Sequence, residues 1–301
     1  MAFFELLKVI LIGVVEGVTE WLPISSTGHM LLLDQVIKLK SSPEFKEMFF
    51  VVIQLGAILA VIYMYWDKLW PFRIVKPERE GQRNRKNKKS AKWKNEYRFG
   101  SIGVSRVIIN LWTKVIVATL PAAVLGLLLD DWMDKYAHTA GVIAIALIVY
   151  GALFILVEDR NAKRTPRITK LGQITYLDAI KLGLFQTLAI VPGTSRSGAT
   201  IVGGLTMGFS RRVVAEFSFF MGIPIMFGWS LIKLIKFGFH YSVLEFFELI
   251  FGMVVAFVVS VIVINFLMGY IKKNNFKIFG YYRIALGLVV IIIFAIKGLM
   301  S

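Results

Sequence analysis

Glu16 and Glu20 lie four positions apart in a run of otherwise mostly apolar residues. Residues with this spacing share one face of a helix. A carboxylate inside an apolar segment is costly, so it usually faces a cavity, a charged partner or a metal ion. The pair could bind a divalent cation through its oxygens, or act as a base with an orienting partner. Alternatively, the segment lies close to an aqueous surface and both carboxylates are simply hydrated.

A short polar tip follows, with the sequence PISSTGH over residues 23–29. Ser and Thr at the start of a helix are more often caps than nucleophiles, so each hydroxyl taken alone is interpreted as a cap. Beside the two carboxylates, Ser26 becomes a candidate nucleophile, and Ser25 and Thr27 become candidates for substrate binding. His29 is a candidate acid or base, although it could also be a polar residue that is simply satisfied at the tip.

A second tip, PGTSRSGAT, covers residues 192–200. Gly193 and Gly198 allow the backbone to curl, so that successive N–H groups point inward and form an anion site. Arg196 adds a forked, permanently charged donor that suits phosphate oxygens. The other polar residues of this tip are candidates for substrate binding: Thr194, Ser195 and Ser197.

Arg196 also has a structural interpretation, a buried ion pair with Glu16 or Glu20, and that pair would itself join the two tips. The second tip lacks the Gly-Lys-Ser/Thr ending of a nucleotide P-loop, so we do not expect ATP hydrolysis. A phosphate cradle, hydroxyls, a histidine and two carboxylates together indicate phosphoryl chemistry, which depends mainly on positioning and charge stabilisation.

The composition places this chemistry in a membrane. The chain has 301 residues, of which 57% are hydrophobic and 18% charged, with a mean hydropathy of +0.69. A soluble enzyme of this length is usually less apolar and more charged. The absence of cysteine excludes disulfides, thiolate zinc sites and a cysteine nucleophile. The net charge of +16 would suggest nucleic acid in a soluble protein, but the basic residues concentrate in three short stretches.

We predict an all-α integral membrane protein with six transmembrane helices, each near the roughly 20 residues that a bilayer requires. The predicted spans are 48–66, 107–129, 140–157, 213–236, 246–268 and 284–300. Loops rich in Lys and Arg stay cytoplasmic, so the basic stretches 67–106, 158–170 and 269–283 should face the cytoplasm. The run 83–94 could alternatively bind RNA, but retention of the loop or contact with acidic lipid is favoured, and no nucleic-acid partner is expected.

Two apolar stretches do not make complete spans. The first, about 3–39, breaks at Pro23, and the second, about 178–209, breaks at the PGTSRSGAT tip. Their second arms, 30–39 and 201–209, are too short to cross a bilayer. We therefore predict two re-entrant helical hairpins with functional tips. In a competing topology, 3–22 is a full span, but 30–39 would then have to return through a bilayer about twice its length.

Three spans follow each hairpin, and that odd number inverts the second copy relative to the first. The chain is thus predicted to be a single membrane domain, 1–301, built from inverted halves 1–157 and 158–301 whose tips meet near the midplane. The sequence leaves the oligomeric state open, and a homodimer is one arrangement that it allows.

Three segments resemble the undecaprenyl-diphosphatase family associated with bacitracin resistance: GVVEGVTEWLPISSTGHM (13–30), FFVVIQLGAILAV (49–61) and VPGTSRSGATI (191–201). The resemblance implies removal of the terminal phosphate from undecaprenyl diphosphate, which yields the lipid carrier of cell-wall synthesis. It further implies a location in the bacterial inner membrane and an active site that faces outward. The implied partners are membrane lipids and a polyprenyl diphosphate, and the implied cofactor is a divalent cation (Mg or Ca). The resemblance implies these active-site residues: Glu16, Glu20, Ser25, Ser26, Thr27, His29, Ser195, Arg196 and Ser197. The basic insert 76–98 departs from the family's pattern.

In the mechanism that we expect, Arg196 and the backbone of 193–198 hold the diphosphate, while a divalent ion near Glu16 and Glu20 neutralises charge. Ser26 attacks the terminal phosphorus, and either His29 or Glu20 takes its proton. Thr27 and Ser195 position oxygens. A variant has an activated water as the nucleophile and Ser26 as a positioning group.

The sequence pattern has three alternative interpretations. Inverted repeats with broken helices are typical of secondary transporters, so a flippase for undecaprenyl phosphate is the main alternative. A structural scaffold explains neither tip. The type 2 phosphatidic acid phosphatases share a Pro-Ser-Gly-His element that resembles part of the first tip. They also require a histidine soon after a Ser-Arg pair, and none follows Ser195 and Arg196.

Overall fold

The computed structural model describes residues 2–37, 39–74, 96–99, 101–137, 139–238 and 241–300. Helices dominate this part of the chain. Their bounds, α1 to α12 in order, are Ala2–Thr19, Ser26–Val36, Pro43–Val52, Gln54–Met64, Trp66–Leu69, Arg106–Tyr136, Ala140–Asn161, Tyr176–Thr187, Arg196–Thr206, Arg211–Phe237, Val243–Tyr270 and Lys277–Met300.

Six helical segments of the described chain are long and apolar enough to cross a membrane, which confirms the predicted number of spans. Their bounds are Pro43–Met64, Arg106–Leu129, Ala140–Asn161, Arg211–Phe237, Val243–Tyr270 and Lys277–Ile296. Each overlaps one predicted span, but several begin earlier along the chain. The largest shift is in the last span, which starts at Lys277 rather than at 284, so that Arg283 lies inside the helix.

The all-α prediction is wrong in one place, the basic stretch 67–106. Here a small antiparallel sheet forms, in the order β1-β3-β2. Its strands β1, β2 and β3 are Phe72–Ile74, Glu96–Phe99 and Ile102–Ser105. Phe and Ile alternate with Arg along β1, the period-two pattern of a strand with two different faces. Of the insert 76–98 only 96–98 belong to the described residues, and the run 83–94 lies outside them.

The arms that carry the two tips lie close against spans because glycine stands at the contacts. A Cβ on Gly17 of α1 would lie 2.9 Å from the carbonyl oxygen of Ala256 on α11. A Cβ on Gly183 of α8 would lie 2.3 Å from the carbonyl oxygen of Ala118 on α6. Small residues at such crossings let helix backbones approach closely in membrane proteins. Both arms are therefore fixed in depth and rotation by their neighbours.

A buried aromatic cluster lies beneath the tips. Trp21 is fully buried and meets Phe219 of α10 edge to face, with ring centroids 5.2 Å apart. Phe217 and Phe220 of the same helix are also fully buried. Such packing fixes the position of the end of α1, and therefore also the position of the polar residues that follow it.

Candidate active site

The two tips share an unusual backbone. Ser25 precedes α2 with φ 75°, and Ser195 precedes α9 with φ 71°. They are the non-glycine residues with positive φ among the described residues. Each serine caps its helix, since its Oγ accepts a hydrogen bond from the backbone N–H of Gly28 or Gly198 respectively. A non-glycine residue in this region is strained, and such strain persists only where the surroundings enforce it.

Glu20 joins the two tips. Its Oε1 accepts a hydrogen bond from Arg196 Nη2 at 3.0 Å, and its Oε2 accepts one from Ser26 Oγ at 3.2 Å. The hydroxyl of Ser197 donates to the backbone carbonyl of Glu20 at 3.4 Å. One carboxylate thus connects the predicted nucleophile with the predicted phosphate-binding arginine. The distance from Ser26 to Glu20 is compatible with a hydroxyl and its base.

Arg196 is held on more than one side. Besides Glu20, it donates to the carbonyl of Ser218 at 2.7 Å and lies over the ring of Trp21, 5.9 Å from the centroid. Gly222 leaves room for the guanidinium, because a Cβ there would lie 2.8 Å from its atoms. The Nε of Arg196 has no hydrogen-bond partner among the described residues. The arginine therefore has both the structural ion pair and a donor left over for an anion.

A cavity of about 290 Å³ lies between the tips. It brings together half of the predicted site residues: Glu20, Ser26, Thr27, Gly193, Ser195 and Arg196. The remaining wall includes two glutamines, Gln54 and Gln186, and the aromatic ring of Trp229. A concave site with a few convergent polar groups is the usual form of a small-ligand pocket.

A second cavity, of about 480 Å³, shares the wall formed by Ser26 and Thr27. Glu16 lines it, together with Glu47 and Lys233, which form an ion pair with each other. Glu16 is only 1% exposed, and its Oε1 has no hydrogen-bond partner among the described residues. Glu16 and Glu20 therefore serve two adjoining cavities.

His29 is turned away from the Ser26–Glu20 contact. Its Nδ1 donates to the backbone carbonyl of Ser25 at 2.8 Å, which leaves Nε2 to accept from the hydroxyl of Tyr282 at 2.7 Å. The two rings are stacked, with their planes 5° apart. His29 lines neither of the two cavities. The structure thus brings together Glu20 and Ser26 without His29.

Three other predicted residues lie behind the cavity wall. Thr194, Ser197 and Gly198 are buried. Ser197 contacts the hydroxyl of Ser195, with 3.2 Å between the oxygens. These residues shape the second tip from behind.

Arg283, which the sequence analysis did not select, connects both tips. It is 0% exposed, and its guanidinium donates to the backbone carbonyls of Pro23, Gly193 and Thr194, at 3.2, 2.7 and 2.9 Å. The sequence pattern groups Arg283 with the basic stretch 269–283, so only its position inside α12 marks it as a costly buried charge.

The two glutamines of the wall were also missed. Gln186 is 2% exposed, and neither its amide nitrogen nor its amide oxygen has a partner among the described residues. Buried amides are normally hydrogen-bonded, so an unpartnered one beside a cavity requires an explanation. Gln54 begins α4 directly after the break at Ile53, and it lines both cavities.

The residues present fit a divalent cation. No group of three or more His, Asp or Glu side chains with the geometry of a metal site occurs in the described part of the chain. However, the unpartnered carboxylate oxygen of Glu16 and the nearby carboxylate of Glu20 are hard donors. Magnesium is commonly held by one or two carboxylates, with substrate phosphates and waters as the other ligands.

Comparison with known proteins identifies relatives that match over nearly the whole chain. A family model described as bacitracin resistance protein BacA matches residues 9–289. A protein of Enterococcus faecalis named undecaprenyl-diphosphatase is 53% identical over 98% of this chain and 99% of its own length. Proteins with the same name from Desulfitobacterium hafniense and Acetivibrio thermocellus are 52% and 50% identical, over 100% and 96% of this chain and 100% and 98% of their own lengths.

Proposed function

The chain belongs to the BacA family of bacitracin resistance proteins, and on this premise we propose that it hydrolyses undecaprenyl diphosphate to undecaprenyl phosphate and inorganic phosphate. The relatives that match over their full length carry this activity in their names. The chain is accordingly a multi-pass membrane hydrolase that acts on a phosphoric anhydride of a lipid. Its product is the lipid carrier that cell-wall synthesis uses again.

The proposed placement of the reaction is supported by one observation, that Arg196 and Ser26 donate hydrogen bonds to the same carboxylate of Glu20. They put a hydroxyl, a base and a forked cation along one cavity wall. A phosphate that enters this cavity meets the guanidinium of Arg196, which lines it, and the start of α9, whose backbone N–H groups favour anions. The cavity thus supplies the positioning and charge stabilisation that phosphoryl transfer needs.

In the proposed reaction, Ser26 Oγ bonds to the terminal phosphorus and its proton passes to Glu20. The bond from that phosphorus to the bridging oxygen breaks, and the lipid monophosphate leaves with the bond's electron pair. Water then attacks the phosphoserine, the bond from phosphorus to Ser26 Oγ breaks, and phosphate leaves. Glu20 returns its proton to Ser26 Oγ, which restores both residues. The position of His29 supports Glu20 rather than His29 as the proton acceptor. In the alternative, Glu20 activates water directly and Ser26 positions the substrate.

Glu16 and Glu20 would hold the divalent cation, Mg or Ca. Bound there, the cation would supply charge neutralisation for the phosphate oxygens. Support comes from the buried Oε1 of Glu16, which has no hydrogen-bond partner among the described residues.

The two tip segments are proposed to be re-entrant hairpins of an inverted repeat. Both second arms, α2 and α9, have 11 residues, or about 16 Å of helix, too short to cross a bilayer. Both begin at a strained serine cap, which is a shared feature beyond the sequence similarity. The proposed orientation keeps the basic loops in the cytoplasm and opens the active site outward.

Orientation can be tested by cysteine labelling, because the chain contains no cysteine of its own. Lys40→Cys should react with a membrane-impermeant maleimide in intact cells, and Lys163→Cys only after the cells are opened. The reverse result would invert the topology.

The activity is tested by phosphate release from undecaprenyl diphosphate by the purified full chain in detergent. Wild type should release phosphate, Arg196→Ala should lose nearly all activity, and the exposed Arg160→Ala should retain it. Acid quenching during turnover should trap a phosphate on Ser26, seen by peptide mass spectrometry. Full activity in Ser26→Ala would exclude the covalent route, and no release by folded wild type supplied with Mg or Ca would contradict the proposed function.

A further inference from the structure

A third cavity, of about 430 Å³, lies at the opposite end of α6 from the candidate active site. Arg106, the first residue of α6, lines it, whereas Gly126 of the same helix lines the cavity between the tips. Along α6 the lining residues of the two cavities come nearest to each other at Lys114 and Ala122, about two turns or about 12 Å apart. Nothing in the proposed reaction uses this third cavity.

Lys114 is the central feature of the cavity. It is 7% exposed and lines the wall. Its contact in the described chain is a cation–π interaction, with Nζ 5.7 Å from the centroid of Tyr176, and no hydrogen bond or ion pair joins the ammonium to another described residue. The Tyr176 hydroxyl is held by Thr113 and Asn110. A buried ammonium is costly when it lacks an acceptor, so the cavity presents a cation that still requires an anion.

The start of α6 adds positive charge at the same place. Arg106 is exposed, and its guanidinium lies 3.9 Å from the ring centroid of Tyr97 on β2. Backbone N–H groups of the first turn carry the positive end of the helix dipole. Ser105 satisfies one of them, the N–H of Ile108. Arg106 and Lys114 thus approach the cavity from the first turn and from two turns further along the helix.

Acidic residues do not cancel this charge. Lys68 also lines the cavity, but its ammonium is paired with Glu216 at 2.7 Å, and Glu216 contacts Arg212 as well. Asp67 is the acidic residue among the described groups of the lining. If the charge of Lys68 is counted with Glu216, the lining retains two positive charges, on Arg106 and Lys114, and one negative charge, on Asp67.

The walls and the depth of the cavity favour a lipid over a soluble anion. Val107, Leu111 and Leu171 make an apolar wall beside the two cations. The exposed rings of Trp66 and Trp70 stack 4.5 Å apart at the end of the first span, where membrane proteins place aromatic residues at the interface. A ligand with an anionic head and an apolar body matches this combination.

We propose that this cavity binds the phosphate group of an anionic membrane lipid, with Lys114 and Arg106 as the phosphate-binding residues. Basic pockets between membrane helices are a recognised form of headgroup site. The site is separate from the catalytic cavity and does not depend on the proposed hydrolysis.

The test uses native mass spectrometry of the purified full chain with added phosphatidylglycerol or phosphatidylcholine. Wild type should bind phosphatidylglycerol more tightly than phosphatidylcholine. Lys114→Gln and Arg106→Gln should each weaken phosphatidylglycerol binding about fivefold or more, while the exposed Lys163→Gln should not. Phosphate release in detergent without these lipids should be the same in all four proteins, which separates this site from the active site.

Equal binding of the two lipids by wild type would overturn the proposal, and so would unchanged phosphatidylglycerol binding in both pocket variants. If Lys114→Gln does not fold, Arg106→Gln decides, because Arg106 is exposed. Inorganic phosphate is added in a further experiment as a competing anion. Displacement of phosphatidylglycerol by millimolar phosphate, with equal thermal stabilisation by phosphate alone, would replace the lipid with a soluble anion and overturn the lipid assignment.

Discussion

Arg196 Nη2 lies 3.0 Å from Glu20 Oε1, although 176 positions separate the two residues in the chain. The contact joins the end of the first arm to the start of α9. It therefore makes the first tip and the second tip parts of one site, in which a change on one side alters the other.

Glu20→Gln should reduce the rate of phosphate release by a factor of about 100 to 10,000, because the variant retains the shape but cannot accept the proton of Ser26. The measurement is kcat with saturating undecaprenyl diphosphate. Glu44→Gln is the matched control, because it makes the same change at an exposed carboxylate in the first turn of α3. It should behave as wild type. Activity of Glu20→Gln within about threefold of wild type would exclude Glu20 as the base.

Removal of divalent cations with EDTA should abolish phosphate release, and Mg or Ca should restore it. Glu16→Gln should raise the cation concentration needed for half-maximal activity by about tenfold or more, because affinity follows the number of charged ligands. A titration of activity against cation concentration measures both effects. Undiminished activity after exhaustive chelation would show that the two carboxylates do not act through a metal.

Gln186→Leu should separate activity from stability. Since the amide has no partner among the described residues, its removal should leave the melting temperature unchanged or higher. It should lower kcat/KM about tenfold, the value of one hydrogen bond to a charged phosphate group. Loss of stability without loss of activity would instead make Gln186 a structural residue.

The strained caps should favour glycine over alanine. At Ser25 and Ser195, Gly relieves the positive φ whereas Ala retains it, and both lose the capping oxygen. The advantage of Gly over Ala in unfolding free energy should be about 1 kcal/mol larger there than at Ser210. Ser210 is the control, because it caps α10 through the same kind of hydrogen bond at an ordinary φ of −68°. Equal differences at all three serines would mean that the strain has no energetic effect.

Arg283→Gln should lower the free energy of unfolding by about 3 kcal/mol, because it leaves buried carbonyls of both tips without full hydrogen bonding. Thermal unfolding in detergent measures the loss, with the exposed Arg160→Gln as control. Activity should be assayed well below the melting temperature. A folded variant should then show a lower kcat, as expected of a positioning residue, and an unchanged kcat would limit Arg283 to a structural role.

Much of the site could be predicted because its residues stand out from an apolar background. Glu20, Ser26 and Arg196 are polar groups beside breaks in hydrophobic segments, where irregular backbone requires protein or water around it. The number of spans followed from length and hydropathy. The orientation of the His29 side chain could not be predicted, because its hydrogen-bond partner Tyr282 lies on α12, far along the sequence.

Other features depend on contacts that the linear pattern does not contain. The charge pattern assigns Arg283 to the basic stretch 269–283, whereas the helix begins at Lys277 and carries the arginine inward. Gln186 is one of several polar residues in an amphipathic arm, and only the lack of a hydrogen-bond partner among the described residues distinguishes it. The small sheet was missed because its strands have three or four residues, too few for a clear period-two pattern.

The three carbonyls held by Arg283 also bear on movement. They belong to both tips, so one side chain restricts the freedom of the two tips to move relative to each other. An alternating-access carrier requires that freedom, since its halves rock about a central site. Here such rocking would break the hydrogen bonds that Arg283 makes to the three backbone carbonyls. The cleft is thus built as a fixed frame, which suits an enzyme whose catalytic groups must keep their alignment through each turnover.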